Sequence, residues 1–219
     1  MKWLITAGPT REPLDPVRFL SNRSSGKMGY LLAEAAAEAG HEVTLVSGPV
    51  SLKAASGVVV KQIHTAQQMW DTVREHCQTS PPDIAVFAAA VADYRPKAVE
   101  TQKMKKRAET LTLELERTPD ILGSMRGAFG FTGFLAGFAA ETENLAANAM
   151  DKLQRKGCDL VIANDVSRAD TGFDSDENEV ILCFPSGFTE SLTKQSKRTL
   201  AHEIVRRCVA LAAQKEHHE

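Results

Sequence analysis

Several features of familiar protein classes are absent from this sequence. No stretch of about 18 consecutive apolar residues occurs, and the start MKWLITAGPT has no basic segment followed by a long apolar one. The 26 lysines and arginines face 28 aspartates and glutamates, so the formal net charge is −2 and no global basic field favours nucleic acid or an anionic membrane. We therefore expect a cytoplasmic protein with neither nucleic acid nor a membrane as partner.

Cysteine is sparse, and its spacing argues against the usual cysteine-based sites. The four cysteines are Cys77, Cys158, Cys183 and Cys208, and no two of them form a CxxC pair. This spacing favours buried thiols in a reducing compartment over disulfides or a zinc site. For the same reason we expect the sequon that begins at Asn22 to stay unglycosylated.

Common catalytic and nucleotide-binding motifs are also missing. A Walker loop needs G-x-x-x-x-G-K-[ST], but Ser21 stands five residues before Gly26 and Met28 follows Lys27. The three-glycine Rossmann fingerprint fails as well, because only Gly26 and Gly29 have its final spacing. No HExxH or GxSxG motif occurs. We expect the two glycines to serve a turn and the packing of a helix.

What the sequence does contain is an alternation of short apolar runs with longer helical patterns. Such an order predicts a mostly parallel sheet with helices on both faces. We therefore predict one Rossmann-like, doubly wound α/β domain over residues 1–214, with an added flap and hairpin region, followed by a solvated tail over 215–219. The predicted strands are 2–6, 42–47, 83–90, 134–140 and 159–163. The predicted helices are 29–40, 66–77, a short one from Pro119, 142–157 and 195–214, and a hairpin is predicted over 179–191.

Residues 91–118 interrupt this alternation. KMKKR at 103–107 is a basic cluster, and TLTLELE at 110–116 alternates apolar and polar residues, which predicts an added strand. We expect a mobile flap at about 94–110. A bare run of charge is commonly solvated surface, whereas over a phosphate site these cations would neutralise a triphosphate.

The long loop after the first strand is one candidate binding segment. It spans residues 7–25 and carries Arg18 and Asn22 among its polar side chains. Long polar loops at the carboxyl ends of parallel strands commonly bind the ligand in such folds. Ser24 and Ser25 are expected to cap the helix that follows, where free N–H groups favour an anion. An ordinary capped helix is the simpler interpretation of this fragment.

A second candidate segment is AAAVADYRP at residues 88–96. It ends the third predicted strand and therefore lies at the same edge of the sheet as the first loop. Small alanines allow a flat ligand to approach the backbone, and Asp93 can accept from a base or ribose or bind a metal. A packed strand end with an aspartate that caps a turn explains the segment equally well. Lys152 and Lys156, four residues apart, are typical of a solvent-exposed helix face.

A set of short motifs in fixed order is more specific than any one of them. They are ITAGPTREPLDPVRFLSNRSSGKMG, AAAVADYRP, KMKK, TPDIL, GFAAET, and ANDVS followed by GFDSDENEV. Over residues 4 to 180 this series resembles phosphopantothenoylcysteine synthetase, also called phosphopantothenate–cysteine ligase, of the bacterial CTP-dependent type. The resemblance implies a homodimeric enzyme of coenzyme A biosynthesis. It would join 4′-phosphopantothenate to L-cysteine through an acyl-cytidylate, using CTP and Mg²⁺ and releasing CMP and pyrophosphate.

The same resemblance implies roles for the residues at matching positions. Asn22 and Arg18 are implied in catalysis around the acyl-cytidylate, and Lys103 in the second half-reaction. Asn22 and Ala90 are the substrate-binding candidates, and no metal ligands are identified. For Lys152 and Lys156, the resemblance implies nucleotide binding in place of a solvent-exposed helix face. The implied nucleotide-binding residues are Phe87, Ala88, Ala89, Asp93, Lys103, Pro119, Asp120, Ile121, Leu122, Phe138, Lys152 and Lys156.

Two departures and two alternatives accompany this resemblance. Met104 replaces a branched residue of the lysine motif, a change of similar volume that we expect to be tolerated. Many bacterial relatives carry a flavin-dependent decarboxylase domain before this one; we expect a stand-alone synthetase or an excised domain, and no flavin.

An NAD(P)- or flavin-binding oxidoreductase is the main alternative, although no acidic residue closes the second strand at 46–48. A non-catalytic nucleotide-binding module is the other, disfavoured by the flap lysines and Asn22.

Overall fold

The chain alternates strands and helices along most of its length. The computed structural model describes residues 1–105, 109–141, 143–165 and 175–216. Its strands are β1 Lys2–Ala7, β2 Arg11–Pro13, β3 Phe19–Ser21, β4 Glu42–Ser47, β5 Val58–Gln62, β6 Ile84–Phe87, β7 Tyr94–Pro96, β8 Leu115–Arg117, β9 Phe134–Glu141, β10 Leu160–Asp165, β11 Glu177–Cys183 and β12 Thr189–Ser196. Its helices are α1 Lys27–Glu38, α2 Ala66–Thr79, α3 Ile121–Ser124, α4 Leu145–Lys156 and α5 Lys197–Glu216.

An eight-stranded sheet forms the centre, in the order β12-β11-β10-β9-β6-β1-β4-β5. Six neighbouring strands of this sheet are parallel, namely β10, β9, β6, β1, β4 and β5. The β11–β12 hairpin adds two antiparallel strands at one edge. Strands β1, β4 and β6 are buried almost throughout, as expected for parallel strands covered on both faces. The prediction of a Rossmann-like, doubly wound, mostly parallel sheet with an added hairpin is confirmed.

The strand order reverses next to β1, and this reversal positions the candidate site. The chain leaves β1 for β4 and β5 on one side, and then returns through α2 to β6 on the other side. In open α/β sheets the ligand crevice lies at the carboxyl ends of the strands where the order reverses. The crevice is therefore expected beyond Ala7 of β1 and Phe87 of β6.

Two apolar cores hold the helices on the two faces of the sheet. Trp3 and Leu45 point into the core under α1 and α5, whereas the neighbouring Leu4 and Val46 point into the core under α2, α3 and α4. This alternation follows from the two-residue period of a strand, and burial of both rows of apolar side chains stabilises the three layers. Within the described ranges, every helix is too short or too polar to cross a membrane.

The structure differs from the sequence prediction in the short strands. Strand β5 was not predicted, nor was the antiparallel β2–β3 hairpin within the first loop. The third strand ends at Phe87 rather than at residue 90, and beyond it an isolated parallel bridge pairs Ala90 with Pro9 in the loop after β1. Only the end of the TLTLELE pattern is a strand, and it pairs with β7 in a separate two-stranded sheet.

The carboxyl-terminal helix extends further than predicted. Helix α5 continues to Glu216, so the expectation of a solvated tail from residue 215 is wrong for Lys215. The Lys215 ammonium lies 3.1 Å from Oδ1 of Asp159, which also pairs with Arg126 at 2.6 Å. Residues 217–219 lie outside the described part, as do Lys106 and Arg107 of the basic cluster, Thr142, and residues 166–174 of the ANDVS and GFDSDENEV motifs.

Candidate functional site

The loop after β1 contacts the segment after β6, as predicted. The Asn22 side-chain amide donates to the backbone oxygens of Ala90, at 3.0 Å, and Val91, at 3.2 Å. The Ala92 amide donates to the Thr10 hydroxyl at 2.9 Å. The Asn22 amide therefore fixes the first loop against the stretch of backbone that leaves β6.

The start of α1 differs from the predicted capped helix. Its N-cap is Gly26, in the left-handed region with φ of 77°, and glycine has no side chain with which to cap the helix. The Ser24 hydroxyl accepts from the Gly26 amide at 3.2 Å, one residue before the helix, so the prediction of a serine cap is wrong. A Cβ at Gly26 would lie 2.9 Å from Cγ1 of Val50 and 3.1 Å from Cα of Gly8, which adds steric exclusion to the unfavourable φ.

The remaining residues of this stretch also serve packing. A Cβ at Gly29 would lie 2.5 Å from Cβ of Ala7, so glycine allows α1 to approach β1 closely. The Lys27 ammonium forms an ion pair with Asp176 and is thus engaged by a carboxylate. The predicted turn and packing roles of the two glycines are confirmed.

A cavity of about 840 Å³, the first cavity, opens at the carboxyl ends of the central strands. Thr6 of β1, Phe87 of β6 and Phe138 of β9 contribute to its wall. Ala88 lies outside the lining and packs against the core under α1 and α5, and Lys103 lies outside the lining as well. Ten predicted nucleotide-binding residues line this cavity: Phe87, Ala89, Asp93, Pro119, Asp120, Ile121, Leu122, Phe138, Lys152 and Lys156.

Both lysines of α4 line the first cavity, so the solvent-face interpretation of the pair is wrong. The Lys152 ammonium donates to the backbone oxygen of Phe138 at 2.6 Å. Burial lowers the pKa of Lys152 below its ordinary value. Lys156 has only 13% of its side chain exposed and forms an ion pair with Asp120. Each ammonium group is therefore held by an oxygen of the cavity wall.

Asp120 connects α3 to α4. Its Oδ1 accepts from the Gly123 amide at 2.9 Å as the N-cap of α3, and its Oδ2 accepts from Lys156. Burial raises the pKa of Asp120, but the hydrogen bonds from Lys156 and Gly123 outweigh this effect, and the pKa lies below its ordinary value. The carboxylate is therefore ionised at neutral pH, and it pairs with the Lys156 ammonium at the cavity wall.

Some residues of the first cavity were missed by sequence reasoning. On α4 these are Asn148, Asp151 and Arg155, which share a helix face with the lysine pair. Their spacing of three and four residues is the signal that identifies them once one lysine is assigned to the site. Arg117 and Glu141, at the ends of β8 and β9, carry no comparable periodic signal.

A second cavity, of about 940 Å³, lies beside the first loop. It is lined by Arg18 and by residues 100–105 and 109–111, so Arg18 and Lys103 are brought together there. The Arg18 guanidinium donates from Nη2 to the backbone oxygen of Met104 at 2.6 Å. The predicted catalytic cations thus surround a space distinct from the one that the nucleotide-binding candidates line.

The predicted buried thiols are confirmed, since all four cysteines are free and buried. Burial raises the pKa of Cys77 and Cys158 to about 11 and that of Cys208 to about 12. Among the described residues, no group of three or more histidine, cysteine, aspartate or glutamate side chains is arranged to hold a metal ion.

Comparison with known proteins agrees with these observations. The coenzyme A biosynthesis bifunctional protein CoaBC of Vibrio vulnificus is 45% identical over 210 residues, which cover 95% of this chain and 52% of that protein. The crystal structure of the C-terminal domain of a CoaBC protein is 41% identical and superposes with a TM-score of 0.79, covering 94% of this chain and 92% of that domain. The structure of the DNA/pantothenate metabolism flavoprotein from Streptococcus pneumoniae, 24% identical with a TM-score of 0.82, shares the fold over 96% of this chain and 99% of that one.

The chain spans about half the length of the curated relatives that it matches. The model of one family, the DNA/pantothenate metabolism flavoprotein C-terminal domain, matches residues 1–211. This match, with the CoaBC relatives, confirms the recognition made from the ordered motifs. The chain belongs to the DNA/pantothenate metabolism flavoprotein C-terminal domain family.

Proposed function

We propose that this chain is a ligase that joins 4′-phosphopantothenate to L-cysteine, with CTP as co-substrate. Its relatives at about 45% identity are coenzyme A biosynthesis proteins. The observation that carries the proposal is the first cavity, because ten residues assigned to the nucleotide from scattered motifs line one space. Its volume of about 840 Å³ and its position at the reversal of strand order suit a nucleotide.

The chemistry explains why such a cavity needs cations. A carboxylate is a poor acyl donor, so its oxygen attacks the α-phosphorus of CTP and pyrophosphate leaves. The acyl-cytidylate that results has CMP as a leaving group, and the cysteine amine attacks the acyl carbon, loses a proton and displaces CMP. Negative charge develops on phosphate oxygens in both steps, and fixed cations stabilise it.

Lys152 and Lys156 supply fixed positive charge in the first cavity. Their ammonium groups are held by the Phe138 carbonyl and by Asp120, so little reorganisation is needed when a phosphate enters. Arg117 and Arg155 add guanidinium groups to the same lining. We assign these four cations to binding of the nucleotide phosphates.

The lining also suits Mg²⁺. Asp93 and Glu141 contribute carboxylates to the first cavity. Magnesium bound with a nucleotide commonly takes one or two carboxylates, phosphate oxygens and water, so a larger protein cluster is not required. Asp93 and Glu141 would hold the ion, and when bound it neutralises triphosphate charge and favours departure of pyrophosphate.

The second cavity is assigned to amide formation. Lys103 is the residue proposed to act there, with Arg18 beside it. Asn22 lines neither cavity, but its side-chain amide donates to the carbonyl of Val91, a residue that lines the first cavity. In this assignment the acyl group lies between the cavities, near Asn22 and Ala90.

We further propose that the protein acts as a homodimer in the cytoplasm and without flavin. The dimer is carried over from the resemblance, and the exposed apolar side chains of Val17, Phe19 and Leu111, at 60%, 47% and 64%, are candidates for its interface. Equilibrium sedimentation at micromolar concentration is expected to give twice the chain mass. A single-chain mass would contradict the dimer.

The function is tested by incubating the protein with CTP, Mg²⁺, 4′-phosphopantothenate and cysteine. Pyrophosphate, CMP and phosphopantothenoylcysteine are expected in equal amounts, and omission of cysteine should leave a single burst of pyrophosphate. A parallel reaction with ATP measures the choice of nucleotide. Absence of pyrophosphate with either nucleotide would overturn the ligase, and substrate-dependent oxidation of NAD(P)H would favour the oxidoreductase.

A further inference from the structure

We propose that Asp15 is a positioning residue, which holds residues 100–104, and Lys103 with them, against the turn at residues 14–18. The inference rests on the proposed function in one respect only, the assignment of Lys103 to amide formation. Its structural part stands on contacts between these two segments. We call Asp15, Arg18 and Met104 the Asp15 cluster.

One carboxylate oxygen of Asp15 shapes the local turn. Its Oδ1 accepts from the backbone amides of Val17 and Arg18, each at 2.8 Å. An aspartate that accepts from amides two and three residues later is a common way to fix a turn. This oxygen therefore organises the tip of the β2–β3 hairpin.

The other oxygen reaches a distant part of the chain. Asp15 Oδ2 accepts from the Met104 amide at 3.1 Å and from Nε of Arg18 at 2.9 Å. Arg18 in turn donates from Nη2 to the Met104 carbonyl at 2.6 Å. Both backbone polar groups of Met104 are thus engaged, and the Glu100 amide donates to the Leu14 carbonyl at 3.0 Å nearby.

Burial and charge make these contacts strong. Asp15 is 3% exposed. Burial raises the pKa of Asp15, but hydrogen bonds from the Val17, Met104 and Arg18 amides and the charge of Arg18 outweigh it and bring the pKa to about 2. The carboxylate is therefore charged at neutral pH, and hydrogen bonds to a charged acceptor are stronger than neutral ones.

The cluster bears directly on Lys103, which precedes Met104. Because the peptide bond between them is planar, fixing the Met104 amide also fixes the carbonyl and Cα of Lys103. Lys103 is exposed, and the origin of its side chain at the edge of the second cavity is defined by these backbone contacts. Arg18 then helps to fix the backbone of Lys103 through its hydrogen bond to Met104, in addition to any contact that Arg18 makes with substrate.

Asp15→Asn separates the two roles of the carboxylate. The retained Oδ1 still accepts from the turn amides, whereas the new Nδ2 is a donor that faces the Met104 N–H and the Arg18 guanidinium. Trypsin is added without substrates, and cleavage after Lys103 and Lys105 is followed by mass spectrometry. We expect cleavage there to be roughly tenfold faster than in the wild type. Cleavage after the exposed Lys53 is the internal reference.

Asp71→Asn is the matched control, since Asp71 pairs with Arg74 on α2 and lies outside both cavities. It should leave cleavage after Lys103 unchanged. Arg18→Lys keeps a cation but loses the planar donor pair, and provides a second variant if Asp15→Asn does not fold. It too should accelerate cleavage after Lys103.

The functional readout is the ratio of the two half-reactions. Asp15→Asn should slow amide formation about tenfold more than the pyrophosphate burst, a split that general destabilisation would not produce. Cleavage after Lys103 as slow as in the wild type, or equal slowing of both half-reactions, overturns the proposal. Because cleavage needs no substrate, lack of pyrophosphate from the wild type overturns the proposed function alone.

Discussion

Beside each cavity lies one aspartate that uses its two oxygens differently. Asp15 at the second cavity and Asp120 at the first both accept backbone amides with Oδ1 and bind a distant group with Oδ2. The distant group is the Met104 amide in one case and the Lys156 ammonium in the other. The same side-chain geometry therefore connects sequence neighbours to remote residues at both sites.

The two aspartates differ in what surrounds them. The Asp120 side chain is 56% exposed and its partner lies on α4, whereas the Asp15 side chain is 0% exposed and its partner lies in an irregular segment. A lysine on a helix is positioned by the helix itself, so Asp120 only refines its place. Residues 100–104 have no such support, and we infer that they depend on Asp15 for their conformation.

The largest effect is expected from Lys103→Gln. Removal of the ammonium should lower turnover by roughly 100-fold while the pyrophosphate burst persists, because the first cavity is intact. Rapid-quench measurement of pyrophosphate and of the amide product tests this. Lys53→Gln, an exposed lysine away from both cavities, is the control. Loss of the burst in Lys103→Gln would mean that the cavities do not divide the half-reactions.

A smaller effect, on binding, is expected from Lys156→Gln. It should raise the KM for CTP about tenfold and change kcat less, because the variant lacks the phosphate contact that we propose for Lys156 in the first cavity. Steady-state kinetics with varied CTP measures the two parameters. A fall in kcat at unchanged KM would instead assign Lys156 to the transition state alone.

Asp120→Asn should also raise the KM for CTP, but by less than Lys156→Gln does. The retained Oδ1 can still cap α3, and Lys156 remains on its helix, so we expect the KM for CTP to rise by about threefold. The same titration of CTP gives the value. An effect as large as that of Lys156→Gln would show that the helix alone does not position the lysine.

The two aspartates should also differ in their response to acid. The pKa of Asp15 falls from 3.8 to about 2 on folding, so its stabilisation is complete above about pH 5 and is lost as the pH falls from 4 towards 2. The difference in Tm between wild type and Asp15→Asn should shrink over that range. The half-exposed Asp120, whose pKa is also lowered, should show a smaller change in the same direction. A Tm difference between wild type and Asp15→Asn that did not change with pH would contradict an ionised Asp15.

The smallest effect is expected for the reactivity of the cysteine thiols, which belong to neither of the two aspartate sites. Because burial raises the pKa of each cysteine, we expect the folded protein to react slowly with a disulfide reagent at pH 8 and the unfolded protein to react fully. Absorbance of the released thiolate measures both. Rapid reaction of one thiol in the folded state would identify a locally open segment.

Regular elements explain why the first cavity could be predicted. The strands β1, β4, β6, β9 and β10 are buried apolar runs, and their parallel order fixes which ends meet. Once the sheet order is known, the carboxyl ends that bear Phe87 and Phe138 must lie near each other. The motif resemblance supplied the residue roles, which remain predictions.

The second region could not be predicted for equally physical reasons. Strands β2, β3, β7 and β8 have three residues each, too few for a periodic signal. Asp15 and Met104 are separated by 89 residues, and no local pattern relates them. Strand β5 was missed because VVVKQ is a short edge strand whose burial does not alternate strictly.

The close approach of α1 to β1 has a consequence for how relatives are interpreted. Gly29 is required by the Cβ of Ala7, and Gly26 by its positive φ and by its neighbours Gly8 and Val50. Both requirements come from folding and hold whether or not a nucleotide is ever bound. A descendant that had lost its activity but kept its fold would still carry both glycines, so this glycine pair reports shared ancestry and leaves activity to be judged from the residues of the two cavities.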